Sequence, residues 1–346
     1  MSDYPPVSVV ISTWNRVELL EQAIESVVKQ DYQGTIELIV VDNASDDGTK
    51  EFMQELKSKS DIHDSDCKFS NVEYIRLSMP DSSAMRTLNT GFDLSGGKYI
   101  LVLDDDAIMN EPECLRVLVT YMESMNSKIA LICPNVISQS GHTQLLEYRD
   151  APYQTWEEGS KRIGRMYAYC GACALMRADV FRDIGFYDES FVLYWNEADI
   201  NVKFRYMGLD TVYTNEVSAT HFISQKQRFM KKSLYYHLRN GNMVMNRTLT
   251  FWNRLYLVPL RVINLLYVIH TEFKFDPLYI IKVYGVALHS LINIFYMTTR
   301  YKCESPSIIQ EVNEVYMRVN VAENEKWGLR PLLKHVWDWL YCRVVK

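Results

Sequence analysis

The sequence predicts an α/β protein whose mostly parallel central sheet is flanked by helices. Three observations carry that expectation. Residues 7–13, 36–41, 71–77 and 99–103 are short runs of apolar and β-branched side chains. Between them the apolar residues recur at helical spacing, most clearly Leu19, Leu20, Ala23, Ile24, Val27 and Val28. Strand alternating with helix in this way is the pattern of a parallel sheet with covering helices. Third, Tyr99-Ile100-Leu101-Val102-Leu103 runs straight into Asp104-Asp105-Asp106. A continuous apolar run of this length reads as a strand buried on both faces. Three mutually repelling Asp end it.

The elements follow in order. The strand over 7–13 ends at Thr13, and Trp14-Asn15-Arg16 makes a turn into the first helix. The strand over 36–41 ends in Asp42-Asn43-Ala44-Ser45-Asp46-Asp47-Gly48, a turn composition, and a helix runs from 49 to about 57. Residues 58–70 read as a solvated loop, 71–77 as a strand and 82–93 as a helix. Beyond the Asp triplet, 114–124 is expected to be helical and 129–134 a strand. Residues 138–165 are polar and irregular, a loop suited to reaching an acceptor. A strand of small residues is expected over 169–176, and a short helix over 180–184 is closed by Gly185. Asn196-Glu197-Ala198-Asp199 opens a partly buried helix with Lys203 and Arg205 outward. A short strand over 211–213 follows, and His221 comes after a turn.

A chain of 346 residues, 48% hydrophobic and 23% charged, accommodates one large domain with an accessory region. We expect a first domain over 1–230 and a helical region over 231–346. Net charge is −6, which does not describe a general nucleic-acid binder. Seven Cys without paired CxxC spacing suggest reduced thiols and a cytoplasmic setting. Met1 to Pro6 lacks the basic region and apolar core of a secretory signal. Basic residues dominate from 226 to 261: Lys226, Arg228, Lys231, Lys232, Arg239, Arg247, Arg254 and Arg261. Helical patterns over 255–269 and 277–297 are interrupted by Arg261, Asn264, Lys282, His289 and Asn293, so neither is a clean spanning helix. Interfacial helices at a membrane surface and a helical subdomain packed on the core both fit this pattern.

The Asp triplet sits at the C-terminal edge of the sheet, where open α/β folds bind ligands. Grouped hard oxygen ligands there suit Mg²⁺ or Mn²⁺, which in turn can hold a diphosphate. A solvated acidic turn is the plainer alternative.

In sum these stretches resemble the inverting glycosyltransferases of family 2, whose nucleotide-diphospho-sugar-binding fold is called GT-A. Val9 to Arg16 is similar to the family's opening strand and T-x-N-R turn, and Val40 to Thr49 to its V-D-N-x-S-x-D-G-T segment. Asp104-Asp105-Asp106 stands where the family has its D-x-D metal motif. Gly171 to Asp188 resembles its G-x-x-x-L-x-R-x-x-F-x-x-x-G-x-F-D segment, and Asn196 to Asp199 its E-D-x-D site. His221 and the Arg239-Asn240 pair resemble a later histidine and R-N segment. The likeness spans roughly residues 7–240.

The resemblance implies a fold, an activity and a set of roles. Asp42 would meet the nucleobase, since a carboxylate accepts from an N–H on the base edge. Thr13, Asn15, Arg16, Asn43, Arg86, Asp104 and Asp105 would bind the donor. Arg16 suits phosphate. Asp106, Asp104 and His221 would hold Mg²⁺ or Mn²⁺. Glu197 would be the general base, with Asp199 beside it, and Trp195 would offer a flat face to an acceptor sugar. Helix N-termini also favour acids for structural reasons, and Trp is more often core. The implied partners are a nucleotide-diphospho-sugar donor, UDP- or dTDP-linked, and a glycan or lipid-linked acceptor, without nucleic acid. The implied place is cytoplasmic, with peripheral contact to the inner face of the membrane.

Three departures matter. Asn196 stands where the family commonly has an acid, which leaves Glu197 as the base position. The segment before Asn89-Thr90-Gly91 lacks the family's glycine-rich stretch, and no Trp follows Gln225, Gln227 and Arg228 as in processive polymerases, which favours transfer of one or a few sugars. A nucleotidyltransferase would carry G-x-G-T-R after the first strand, where Ser12 to Arg16 stands. A nicotinamide enzyme would carry GxGxxG there. A catalytically dead sugar-nucleotide-binding protein would not need the intact Asp104/Asp106 and Glu197/Asp199 sets.

Overall fold

A computed structural model of the chain describes residues 4–61, 68–81, 83–125, 128–141, 146–147, 163–222 and 230–255. It also describes residues 258–259, 262–263, 281, 284–285, 287–289, 291–292 and 305–312. Contacts divide it into two compact units, 1–204 with 208–227, and 205–207 with 228–346.

The first unit is built on one sheet. Its leading half is β1 (Val7–Thr13), α1 (Val17–Val28), β2 (Ile36–Asp42), α2 (Thr49–Asp61), β3 (Asn71–Arg76), α3 (Ala84–Leu94) and β4 (Tyr99–Leu103). Then come β5 (Ala107–Met109), α4 (Cys114–Ser124), β6 (Ile129–Ser138), β7 (Leu146–Glu147), β8 (Ile163–Ala168) and β9 (Cys173–Arg177). α5 (Ala178–Asp183), α6 (Asn196–Tyr206) and β10 (Asp210–His221) follow. The strand order is β3-β2-β1-β4-β9-β6-β10-β8-β7, with β5 on β10.

β3, β2, β1 and β4 are parallel to one another. Val9, Val10, Leu38 to Val41, Ile100 and Leu101 are fully buried, as helices on both faces require. α3 closes tightly on this half because Gly91 lacks a side chain: a Cβ there would stand 2.5 Å from Val10 Cγ1. Asn89 fixes the same helix. Its amide donates to the Tyr187 carbonyl at 2.9 Å and accepts from the Tyr187 N–H at 3.1 Å. Around that joint Phe92, Phe181, Phe186 and Tyr187 meet ring to ring.

The other half of the sheet is mixed rather than parallel. β9 runs antiparallel to both β4 and β6, and β10 is parallel to β6 but antiparallel to β5 and β8. Two reversals restore direction, so β10 ends on the same edge as β1, β2 and β4. β6 runs four residues beyond the expected end, through Pro134. Since proline has no N–H to give the ladder, β10 bulges there: pairing steps from Tyr213↔Cys133 to Ser218↔Asn135.

Several expectations are corrected. Residues 169–172 form the approach to β9, which starts at Cys173. The expected short strand and turn before His221 are one strand, β10, with His221 as its last residue. α2 continues to Asp61. Lys203 and Arg205 do not face outward, for each is 7% exposed. Lys203 Nζ sits 3.4 Å from Asp199 Oδ2 and donates to the Phe186 carbonyl, which satisfies the buried ammonium. Most of the expected acceptor loop over 138–165 lies outside the described residues.

In the second unit α7 (Met230–Thr248) is the longest helix among the described residues. No described helix is long and apolar enough to cross a membrane. Of the basic run, Arg247 and Arg254 are buried. The side chains of Lys226, Arg228, Lys231, Lys232 and Arg261, and most of the helical patterns over 255–269 and 277–297, lie outside the described residues.

Candidate active site

The C-terminal edge of the sheet gathers Thr13 from β1, Asp42 from β2, the Asp triplet after β4 and His221 from β10. The residues flanking two strand ends, just before β9 and just after β10, fix the triplet on both sides. The Asp104 N–H donates to the Ala172 carbonyl at 2.9 Å, and the Asp106 carbonyl accepts from the Phe222 N–H at 2.7 Å.

The three carboxylates differ. Asp105 is buried and points back into the fold, accepting from Thr13 Oγ1 at 2.8 Å and Arg16 Nη1 at 2.9 Å. Burial pushes its carboxyl up to about 7 against the pull of Arg16. The same Arg16 nitrogen bridges to Asp106 Oδ2 at 2.7 Å. On its other side Asp106 Oδ1 lies 3.2 Å from His221 Nε2, and Asp104 Oδ2 lies 3.8 Å from that nitrogen. Burial works to raise the Asp106 carboxyl, but the His221 hydrogen bond and the Arg16 charge outweigh it and hold it below the usual range.

One ligand atom each from Asp104, Asp106 and His221 falls within 4.8 Å of the others. Two carboxylates and an imidazole at a partly open edge suit a divalent cation that keeps positions for other oxygen ligands. The set fits the Mg²⁺ or Mn²⁺ class.

Glu197 and Asp199 lie in the first turn of α6, where the helix dipole favours acids. Their surroundings separate them. Asp199 is buried beside Lys203, and its N–H donates to the Trp195 carbonyl at 3.0 Å. Glu197 is half-buried. Burial raises its carboxyl to about 7, and the like charge of Asp104 adds to the effect. A carboxylate that titrates near neutrality is suited to take a proton from a hydroxyl. The turn into α6 is sharp, with Tyr194 and Trp195 at φ of 65° and 69°. Left-handed backbone at two bulky residues is strained, as at many functional sites. Trp195 is buried, which is the packing use of its ring.

The remaining residues form the framework of this edge. Asn15 Oδ1 accepts from the Asp46 N–H at 2.8 Å, and the Asn15 N–H donates to Ser45 Oγ, so the first two turns brace each other. Asn43 donates to the Asp81 carbonyl at 2.9 Å and accepts from the Asp81 N–H at 2.6 Å. Arg86 is drawn to Asp81 at 2.7 Å and Glu189 at 3.0 Å. Asp42 is fully buried; its carboxylate accepts from the Ser45 N–H at 2.8 Å and from Tyr74 Oη at 2.6 Å. Sequence reasoning missed Tyr74 and Arg76. Strand register could have found both: Arg76 pairs with Asp42 across β3 and β2, and Tyr74 is two residues back on the same face.

The sequence pattern of the family described as Glycosyl transferase family 2 matches residues 8–185. The GalNAc(5)-diNAcBac-PP-undecaprenol beta-1,3-glucosyltransferase of Campylobacter jejuni is 27% identical over 201 residues, which cover 58% of this chain and 59% of that protein. The chain therefore matches only part of that relative's length. Glycosyltransferase AglE of Haloferax volcanii is 32% identical over 106 residues, 30% of this chain and 32% of that protein. Among solved structures, Staphylococcus aureus TarS 1-349 superposes with a TM-score of 0.58 at 12% identity, over 92% of this chain and 88% of that one. Mannosyltransferase PcManGT from Pyrobaculum calidifontis, in complex with GDP-Man and Mn²⁺, gives 0.51 at 13% identity, over 98% and 81%. At these identities the likeness carries the GT-A fold.

Proposed function

The chain belongs to glycosyl transferase family 2, and on that premise we propose that it moves a sugar from a nucleoside-diphosphate donor to an acceptor hydroxyl with inversion at the anomeric carbon. The observation that carries this reading is the pairing of two acid sets on one edge: Asp104, Asp106 and His221 as a cation cluster, and Glu197 held near neutrality within reach of the Asp104 charge.

Glu197 takes the proton of the acceptor hydroxyl. The acceptor oxygen forms its bond to the anomeric carbon as the bond to the diphosphate oxygen breaks on the opposite face, and the nucleoside diphosphate leaves with the electron pair. Asp104, Asp106 and His221 would hold a divalent cation, which would offset charge on the leaving diphosphate. Arg16 keeps Asp106 aligned while Thr13 and Arg16 fix Asp105. Asp42, fully enclosed by its bonds to Ser45 and Tyr74 and by Arg76 at 3.5 Å, does not present a free oxygen to a base edge and instead anchors the turn after β2. Asn43, Arg86 and Asp199 position the loops around donor and base.

A UDP-, dTDP- or GDP-linked sugar fits the reading, since TarS is described with UDP-GlcNAc and PcManGT with GDP-Man. The Campylobacter relative is named for an undecaprenol-linked substrate, which supports a lipid-linked acceptor here. We assign the second unit to peripheral contact with an anionic membrane face. Among the described helical residues Ile281, Tyr284, Leu288 and Ile292 recur every three or four positions and are 67%, 46%, 60% and 47% exposed, a one-sided apolar stripe. Trp252 is exposed in the same unit.

The test is a screen of nucleotide-sugars for thermal stabilisation with and without Mn²⁺. A donor at 100 times its dissociation constant adds about 2.7 kcal/mol. Stabilisation by one nucleotide class that requires Mn²⁺ supports the reading; indifference to every nucleotide-sugar contradicts it.

A further inference from the structure

Gly171 lies in the approach to β9, one residue before Ala172, whose carbonyl accepts the Asp104 N–H. The same short stretch therefore borders the cation cluster on one side. On the other side it borders the base. A Cβ built on Gly171 would meet Glu197 Oε1 at 2.9 Å, and the next two atoms it would meet, at 3.7 Å each, also belong to Glu197. Gly171 does not have the positive φ that would reserve its position for glycine. What the position excludes is thus a side chain, and the excluded volume is filled by the Glu197 carboxylate.

We propose that Gly171 is a positioning residue: its bare Cα is the surface against which the Glu197 carboxylate rests, and it sets the separation between the base and the Asp104/Asp106/His221 cluster. This rests on Glu197 being the base. The consequence is specific. A methyl at 171 is conformationally allowed, and its principal obstacle is the far end of a flexible side chain. Gly171→Ala should therefore fold normally, while the carboxylate has to move by about 0.5 Å or more to regain ordinary contact. Catalytic groups need placement within about 0.5 Å, and a 1 Å error costs on the order of 10²-fold.

The test is a two-by-two comparison of wild type, Gly171→Ala, Glu197→Gln and the double variant. Turnover is followed as nucleoside diphosphate release from the UDP-sugar giving the largest thermal shift, UDP affinity is measured with Mn²⁺, and a crystal structure of Gly171→Ala is determined. We expect Gly171→Ala to keep the wild-type melting temperature and UDP affinity and to lose about 10-fold or more in kcat. In the Glu197→Gln background, where no base remains to be misplaced, the added methyl should cost less than about 2-fold. The crystal structure should show the carboxylate displaced with Ala172 and Asp104 unmoved. An unimpaired Gly171→Ala, an equal loss in both backgrounds, a shifted 170–173 backbone or a failure to fold each overturns the proposal. A wild-type rate for Glu197→Gln alone overturns instead the base assignment on which it rests.

Discussion

Nε2 of His221, at the end of β10, lies 3.2 Å from Oδ1 of Asp106, just beyond the end of β4. Only β9 and β6 lie between β4 and β10 in the sheet order, and the two direction reversals there return β10 to the same edge. The contact joins the two halves of the first unit at the point where a cation would bind.

His221→Ala should therefore weaken Mn²⁺ binding by at least the 10–100-fold that loss of even an outer-shell partner costs, roughly. Asp106→Ala should abolish Mn²⁺-dependent turnover, and it also frees Arg16 from one of its two carboxylates. Calorimetric titration of Mn²⁺ into each variant checks both; wild-type affinity in both would remove these residues from the site.

Burial raises the Glu197 carboxyl to about 7, so on the proposed reading it is ionised and able to accept a proton only above that range. Transfer should fall as pH drops through about 7, with the deprotonated fraction falling tenfold per pH unit well below it. A cation beside Asp104 removes the like-charge contribution and leaves the burial effect, so saturating Mn²⁺ should move the acid limb to lower pH. A pH-independent kcat between 5 and 8 would contradict the assignment.

Asn89 supports both backbone polar groups of Tyr187 in a buried setting. Asn89→Ala leaves these groups unpaired and should cost about 1–3 kcal/mol for each. Urea unfolding measures the loss. A change below about 0.5 kcal/mol, the usual range for surface substitutions, would mean that water or a shifted chain replaces the amide.

Anionic vesicles should retain the protein in a flotation assay, and more strongly at low salt, since each basic side chain near such a surface contributes about 1 kcal/mol. Leu288→Glu with Ile292→Glu should lose that binding with the fold intact by circular dichroism. A double variant that floats like the wild type would remove the stripe from the interface.

The parallel half of the sheet was legible because both its faces are covered: β1, β2 and β4 read as continuous apolar runs, and their ends carry the polar residues that cannot continue a buried strand. The mixed half was not. Its register depends on a long-range accommodation, the bulge of β10 opposite Pro134, which leaves no local signature and made one strand read as a strand and a turn. The site shows the same division. Asp104, Asp106, His221 and Glu197 are residue types whose chemistry is visible in sequence, and the fold brings them to one edge. Lys203 and Arg205 read as solvated because charged side chains usually are, whereas Asp199 and the Phe186 carbonyl draw Lys203 inward. Gly171 was visible only as part of a motif, since what it does is leave space for a side chain from α6.

The central claim is that Glu197 takes the acceptor's proton, and single-turnover transfer by Glu197→Gln tests it most directly. The amide keeps the shape of the side chain and loses the base. The account predicts UDP affinity with Mn²⁺ within about 2-fold of wild type and a transfer rate lower by about 10²–10⁴-fold. A transfer rate per bound donor equal to wild type would contradict it.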